Sequence, residues 1–340
     1  MRFGLVGFGA WGKLHAGAIT RAPGATLNAI CCRNEVSAGA AAELYPQANI
    51  YQNWQQLIAD ADIDAVDVVV PNYLHGAIGI AALERGKHVL LEKPMATTLA
   101  DCDKLIDAAA HNNRVLSVGH ELRLSAQWAK VKELLDSDVL GTPRYANFSL
   151  FRFPFRPGAN EWRYAPDTVG SWLLEEPVHF FDLMVWYFSN YGAPVAVRAI
   201  ANSHDQAPGL NQNLSIWLRF ENGAYATLTQ SLGGFESHMS FELVADSGSL
   251  RTWWSGAMDR TYEPEFGMRV QRRSEQQATD IVLSKSGEVF ELEEQIRQIV
   301  AAFQTGRALV SGEDARKAVA ICLAAERSIA ENREIPLASI

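Results

Sequence analysis

The sequence predicts an α/β chain of two domains. The first is an N-terminal doubly wound parallel sheet, and the second is an α+β domain with a large, mainly antiparallel open sheet. Three observations predict this. Gly7-Phe8-Gly9-Ala10-Trp11-Gly12 separates a strand-like from a helix-like stretch at the start of the chain. Strand and helix signals then alternate to about residue 120. Beyond that point several strands follow one another without intervening helices. A chain of 340 residues is too long for one ordinary core, and the change of pattern divides it into 1–121 and 122–340.

The elements follow in order. Residues 2–6 read as a short buried strand and 13–21 as a helix. In the turn between them Gly7 permits a tight bend, Gly9 lets backbone N–H groups approach a pyrophosphate, and Gly12 allows close helix–strand packing. The pyrophosphate would sit on the positive end of the helix. Gly7, Phe8, Gly9, Ala10, Trp11 and Gly12 are therefore the expected dinucleotide contacts. Residues 26–32 read as the second strand, 38–44 and 54–61 as helices, and 65–70 as a strand ended by Pro71. A helix at 74–85 stops at Gly86, a buried strand follows at 88–91, a helix at 99–111, and a fifth strand at 115–118.

In the second part, 126–135 reads as a helix and 145–153 as an aromatic-bearing strand, followed by a loop through Trp162, Arg163 and Tyr164. An apolar helix covers 178–188. Strands are expected at 195–201, 214–220, 225–231, 241–244 and 281–283, with an Asn222-Gly223 hairpin turn between two of them. Helices return at 292–303 and 314–330. No Ser/Gly linker separates the two parts, so a substrate cleft between the domains is expected.

A net charge of −9 and a pI near 5.4 argue against nucleic acid or an anionic membrane as the main partner. The 4 cysteines, Cys31, Cys32, Cys102 and Cys322, show no Cys-x-x-Cys spacing, which fits a reducing compartment. The chain enters its first strand at once, and no apolar run reaches the ~18 residues of a membrane span. The expected location is cytoplasmic.

Four stretches carry chemistry. After the second strand, an acid would bind the ribose 2′-hydroxyl of NAD and an arginine would accommodate the 2′-phosphate of NADP. The sequence reads Cys31-Cys32-Arg33-Asn34, with its first acid only at Glu35. NADP is therefore favoured and NAD remains possible, with Arg33 and Asn34 as contacts. Pro71-Asn72 and His75 lie at the ligand edge of the sheet, where His75 is a candidate for lining the cofactor site. Glu92-Lys93-Pro94 ends an apolar strand at that same edge. Pro94 restricts Lys93 to an extended backbone, so the ammonium is held where it can donate to a carbonyl oxygen.

The fourth stretch is Glu175-Glu176-Pro177-Val178-His179-Phe180-Phe181-Asp182. Pro177 places a helix start there, with Glu175 or Glu176 near its N-cap. His179 then falls in the first turn, where the helix dipole disfavours its charged form and leaves a general base. Asp182, three residues on, could hold its orientation. Glu175, His179 and Asp182 as metal ligands are the alternative, but no metal is assigned.

Taken together these residues resemble the Gfo/Idh/MocA family, the glucose–fructose oxidoreductase and inositol dehydrogenase group. The resemblance spans the glycine loop, Pro71-Asn72 with Leu74-His75, residues 82–94, Trp162-Arg163 and residues 170–182. It implies a Rossmann domain with a C-terminal α/β domain, NAD or NADP, and oxidation or reduction of hydroxyl groups on sugars and cyclic polyols. It implies Lys93 as catalytic lysine and His179 as the histidine of an Asp-x-Gly-x-His-x-x-Asp pattern. Glu175 stands at that pattern's Asp and Pro177 at its Gly, so Glu175 would orient substrate hydroxyls. Gly170-Ser171-Trp172 replaces a glycine-rich run and gives a bulkier pocket floor. His120, Arg123, Trp162, Arg163, Tyr164 and Trp172, with Lys93, Glu175 and His179, are candidates to line the sugar pocket. The expected activity is NAD(P)-dependent hydride transfer with a secondary hydroxyl. A redox-assisted glycosidase or epimerase that retains its cofactor is the alternative. Homodimers or homotetramers built on the outer sheet face are implied.

Overall fold

In the computed structural model, which describes residues 1–60, 62–204 and 207–340, the first strand β1 (Arg2–Val6) turns at Gly7 into helix α1 (Ala10–Arg21). The helix begins earlier than residue 13 because Gly9 itself is the N-cap and the glycine turn supplies the first helical residues. The chain continues through β2 (Thr26–Cys31), α2 (Glu35–Leu44), β3 (Asn49–Tyr51), α3 (Trp54–Ala59), β4 (Ala65–Val68), α4 (His75–Glu84), β5 (His88–Glu92), α5 (Leu99–His111) and β6 (Leu116–Gly119). Residue 61, the expected end of the third helix, lies outside the described residues. Three-residue β3 carries too short a pattern to be seen in the sequence, so the strand expected as fifth is the sixth.

By its internal contacts the chain divides into two compact units, Met1–His120 with Leu292–Val319, and Glu121–Glu291 with Ala320–Ile340. In the first unit the strands form a parallel sheet in the order β3-β2-β1-β4-β5-β6. This is the doubly wound order, in which ligands bind beyond the carboxyl ends of the strands where the order reverses, between β1 and β4. Both strands are almost wholly buried, as helices on both faces of a parallel sheet require. The core joins Phe3, Leu5 and Ile19 to Ile296, Ile299 and Phe303 from the C-terminal part of the chain.

The second unit opens with α6 (Trp128–Asp136) and β7 (Pro143–Arg152), then short helices α7 (Pro166–Val169) and α8 (Trp172–Glu175) before α9 (Pro177–Phe188). Strands β8 (Pro194–His204), β9 (Ala207–Phe220), β10 (Tyr225–Ser231), β11 (Ser237–Ala245), β12 (Gly248–Gly256), β13 (Glu265–Arg272) and β14 (Thr279–Asp280) follow. Helices α10 (Glu288–Thr305) and α11 (Gly312–Glu331) and strand β15 (Ile335–Pro336) end the chain. Among the described residues the second sheet runs β14-β13-β12-β11-β7-β10-β9-β8-β15 and is antiparallel except between β7 and β10. The Asn222-Gly223 hairpin joins β9 to β10, with Gly223 at φ +83° as such a turn requires. Residues 281–283 are not a strand; the pairing falls at β14 instead. Strands β12 and β13 were not expected, because Trp253-Trp254 breaks the alternation in one and Gly267 interrupts the other.

Helix α9 is buried almost all round, which explains its unbroken apolar run. Phe180 of this helix meets Phe148 of β7 at 5.0 Å between ring centroids, and Phe148 also contacts Trp128 at 5.7 Å and Phe241 at 4.3 Å. Phe148→Ala removes the ring that joins these elements and should cost about 3–5 kcal/mol. Urea unfolding measures that loss; a value under about 1 kcal/mol would mean that this cluster does not hold the helix to the sheet.

Candidate active site

The glycine turn is built by close backbone approach. Gly7 sits at φ +107°, and a Cβ there would stand 2.0 Å from the Val69 carbonyl oxygen. A Cβ on Gly12 would stand 2.1 Å from the carbonyl oxygen of Gly7. At Gly9 a Cβ would meet nothing within 4 Å, so the N-terminus of α1 faces open space. No side chain caps that terminus, which leaves its first N–H groups directed outward. Phe8 is buried and packs edge-on against Tyr45, while Lys13 stands 5.6 Å above its ring. Arg33 and Asn34 are exposed at the end of β2, and the Asn34 side chain caps α2 by accepting from Ser37 N at 2.9 Å.

Beyond β4, Pro71 leads into Asn72, which is 3% exposed. His75 is buried with Nδ1 2.6 Å from the Pro94 carbonyl and Nε2 2.8 Å from that of Val70. It therefore ties the segment after β4 to Glu92-Lys93-Pro94, and the expectation that it lines the cofactor site stands beside this tethering role. Lys93-Pro94 is a cis peptide. Glu92, at the end of β5, is buried and meets His15 of α1, which also contacts Asp67 of β4. Sequence reading passed over His15 and Asp67; the available signal was an acid inside the apolar run Ala65-Val66-Asp67-Val68.

In the second unit α9 starts at Pro177, as expected, with Glu176 as N-cap and His179 in the first turn. The orientation of His179 differs from expectation. Asp182 is taken by Arg123 through two hydrogen bonds of 2.7 Å, Nε to Oδ2 and Nη2 to Oδ1, with the guanidinium 5.3 Å from the Trp186 ring. A planar fork matches a carboxylate better than an imidazole does. Glu121 stands beside the His179 ring, its Oε1 3.9 Å from Nε2. Glu121 was missed in the sequence, although an acid just past a strand end was there to be noticed. Its neighbour His120 is buried, 1% exposed.

Glu175 is paired with Arg163, whose guanidinium stacks on Trp162 at 4.3 Å. Glu176 is held by Arg152, which also binds Asp259 at 2.9 Å. The half-buried Trp162 and Arg163 and the buried Glu175 thus form one group, with Tyr164 donating its hydroxyl to the Phe155 carbonyl at 2.9 Å. Trp172 differs: at 0% exposed it packs against Phe155 and Tyr164 as core, and its indole donates to the Arg163 carbonyl at 2.8 Å. It supports the loop from behind and is not a pocket surface. Among the described residues no group of three or more His, Cys, Asp or Glu is arranged to hold a metal. A cavity of about 30 Å³, room for about one water, lies beside His179 and Glu121, with Asp259 and Glu288 also in its lining.

A family profile described as "Oxidoreductase family, NAD-binding Rossmann fold" matches residues 1–120, and the "GFO/IDH/MocA C-terminal domain" matches residues 128–251. The chain belongs to the Gfo/Idh/MocA oxidoreductase family. Inositol 2-dehydrogenase of Acidothermus cellulolyticus is 30% identical over 253 residues, 74% of this chain and 72% of that protein. Levoglucosan dehydrogenase of Pseudarthrobacter phenanthrenivorans is 27% identical over 285 residues, 74% of this chain and 73% of that one. The solved aldose-aldose oxidoreductase from Caulobacter crescentus, complexed with glycerol, shares the fold with a TM-score of 0.85 at 22% identity, covering 99% of both chains.

As a Gfo/Idh/MocA oxidoreductase the protein has an NAD-binding Rossmann domain, and its own loop fits a nicotinamide dinucleotide. The helix terminus is uncapped, and the space at Gly9 is open on the side a pyrophosphate would occupy. No helix among the described residues is long and apolar enough to cross a membrane. Gly9→Ala should leave the melting temperature unchanged yet weaken nicotinamide dinucleotide binding about tenfold or more, because its methyl enters only the open space at the helix terminus. Gly12→Ala should lower the melting temperature as well. Equal melting losses in both variants would contradict this division, and calorimetry with fluorescence titration measures it.

Glu288 titrates unusually. Burial first, then Asp259, pushes its carboxyl up from 4.5 to about 7, with Arg260 pulling the other way. A raised carboxyl stabilises the fold only while protonated, so wild type should lose stability relative to Glu288→Gln as pH rises from 4.5 to about 7. Above that the difference should level at about 1–3 kcal/mol. Denaturant melts at pH 5 and 8 test it; parallel curves would refute the raised value.

Proposed function

We propose that the protein transfers hydride between a nicotinamide cofactor, with NADP preferred and NAD possible, and a secondary hydroxyl of a sugar, sugar derivative or cyclic polyol. The observation that carries this reading is Glu92-Lys93-Pro94 at the carboxyl end of β5, the edge where ligands of this sheet order bind. Two relatives are named for inositol and levoglucosan, a cyclic polyol and a sugar derivative. Exposed Arg33 and the absence of an acid before Glu35 favour a 2′-phosphate.

The bound cofactor supplies the hydride acceptor or donor at its nicotinamide ring. Residues Gly7, Phe8, Gly9, Ala10, Trp11 and Gly12 would hold its pyrophosphate, with Arg33, Asn34, Pro71, Asn72, His75 and the Glu92-Lys93-Pro94 turn around the remainder. In the oxidative direction His179 takes the hydroxyl proton, and the Lys93 ammonium stabilises the developing alkoxide. Glu175, fixed by Arg163, orients neighbouring hydroxyls, and the Trp162 face suits the C–H patches of a sugar ring. His120, Arg123 and Tyr164 complete the proposed surroundings, Arg123 through its hold on Asp182. The protein is proposed to work in the cytoplasm as a homodimer or homotetramer. Trp217 and Tyr225, 59% and 46% exposed on adjacent β9 and β10, support an outer-face contact.

The test is a near-ultraviolet absorbance screen of sugars, sugar acids and inositols against NAD⁺ and NADP⁺. Lys93→Ala and His179→Ala should each lose turnover by about 10²–10⁴-fold, far more than they lose NADPH affinity. Unchanged turnover in either variant removes that residue from the mechanism, and a clear NAD⁺ preference removes the role given to Arg33.

A further inference from the structure

Beneath the Glu92-Lys93 corner lies a buried charge cluster that the proposed reaction does not use directly. His15 of α1 is 0% exposed. Its Nδ1 lies 2.7 Å from Oδ2 of Asp67, itself 0% exposed in the middle of β4, and its Nε2 lies 3.2 Å from Oε1 of Glu92 on β5. The Asp67 contact is a hydrogen bond, whereas Nε2 and Oε1 of Glu92 stand at an ion-pair distance outside hydrogen-bond geometry; between two carboxylates the imidazolium, with an N–H on each side, is the form that both charges favour. Trp11, one turn earlier on α1, contacts the His15 ring at 5.5 Å and donates its indole N–H to Glu92. On β6, Gly119 leaves the room that the carboxylate fills, since a Cβ there would stand 2.9 Å from Oε1.

We propose that His15 is a positioning residue for the Glu92-Lys93 corner: a buried imidazolium, anchored on Asp67, that pins the Glu92 carboxylate and so fixes the platform from which Lys93 projects. This rests on the reading of Lys93 as the alkoxide-stabilising ammonium. The charges facing His15 are Asp67 from β4 and Glu92 from β5, and Lys93 in turn faces Glu92. Burial is the largest single influence on His15 and opposes its charge, but Asp67 and then Glu92 outweigh it and push the group up to about 10. Burial likewise raises Glu92, and His15, Lys93 and Trp11 together bring it below its ordinary value. Burial raises the Asp67 carboxyl above its ordinary value, with His15 pulling it down and Glu92 adding a smaller upward push.

A purely structural purpose would be served better by apolar residues, because a buried ion cluster is commonly neutral or destabilising against well-packed hydrophobic replacements. Of its three members only Glu92 has measurable exposure, 6%. The cluster therefore communicates outward through the residue next to Lys93.

The test has two arms. Nitrogen-15 histidine NMR of the wild-type protein with NADPH should show both His15 ring nitrogens protonated at pH 8, with the signal changing only as pH nears 10. His15→Gln should lower turnover about tenfold or more, with the polyol found in the absorbance screen, while NADPH affinity changes by less than about twofold. Should His15→Gln fail to fold, Glu92→Gln must show the same loss together with a lowered His15 titration midpoint. A singly protonated His15 at pH 8 overturns the proposal. So does a variant that melts lower yet keeps wild-type turnover. Full turnover in Lys93→Ala would overturn the catalytic reading and the link to Lys93, while leaving a doubly protonated His15 signal intact, so the two failures are told apart.

Discussion

The first unit depends on the approach of three backbone segments at the end of β1. Gly7 lies against the Val69 carbonyl and Gly12 against the Gly7 carbonyl, at separations that admit no Cβ. This contact seats α1 on β1 and β4, where the sheet order reverses. The same packing leaves the helix N-terminus uncapped and directed outward. One steric constraint thus produces both the fold's first turn and an uncapped helix end of the kind that suits an anion. It also delivers His15, one turn and a half along α1, into the sheet between Asp67 and Glu92.

In the second unit the organising interactions are paired charges around the start of α9. Pro177 fixes where the helix begins and leaves Glu175 and Glu176 ahead of it. Each acid is matched to an arginine from elsewhere, Glu175 to Arg163 and Glu176 to Arg152, and Asp182 one turn on is matched to Arg123. These carboxylates are nearly buried, and unpaired they would be costly. The pairing leaves His179 beside Glu121.

The legible part of the sequence was local. The glycine turn, the Glu-Lys-Pro corner, the Asn222-Gly223 hairpin and the Pro177 helix start each follow from backbone rules a few residues long. They located the nucleotide-binding edge and the turn that carries His179. What escaped depended on partners distant in sequence. Asp182 was read with its helical neighbour His179, but Arg123, 59 residues away, offers a better fork. Trp172 read as pocket wall because nothing local shows that Phe155 and Tyr164 enclose it. His15 and Asp67, separated by 52 residues, looked like unrelated polar residues. Strands β12 and β13 were missed because their partners, not their own alternation, hold them in the sheet.

In the proposed reaction a hydride moves between a carbinol carbon and the nicotinamide. The most direct measurement uses polyols and sugars deuterated at their carbinol carbons, incubated with the wild-type protein and NADP⁺. Mass spectrometry of the cofactor, released after denaturation, then shows whether deuterium has been transferred. Deuterium is expected on the nicotinamide ring with wild type and is expected to be lost with Lys93→Ala. An unlabelled cofactor across the panel, with product formed, would contradict that reaction.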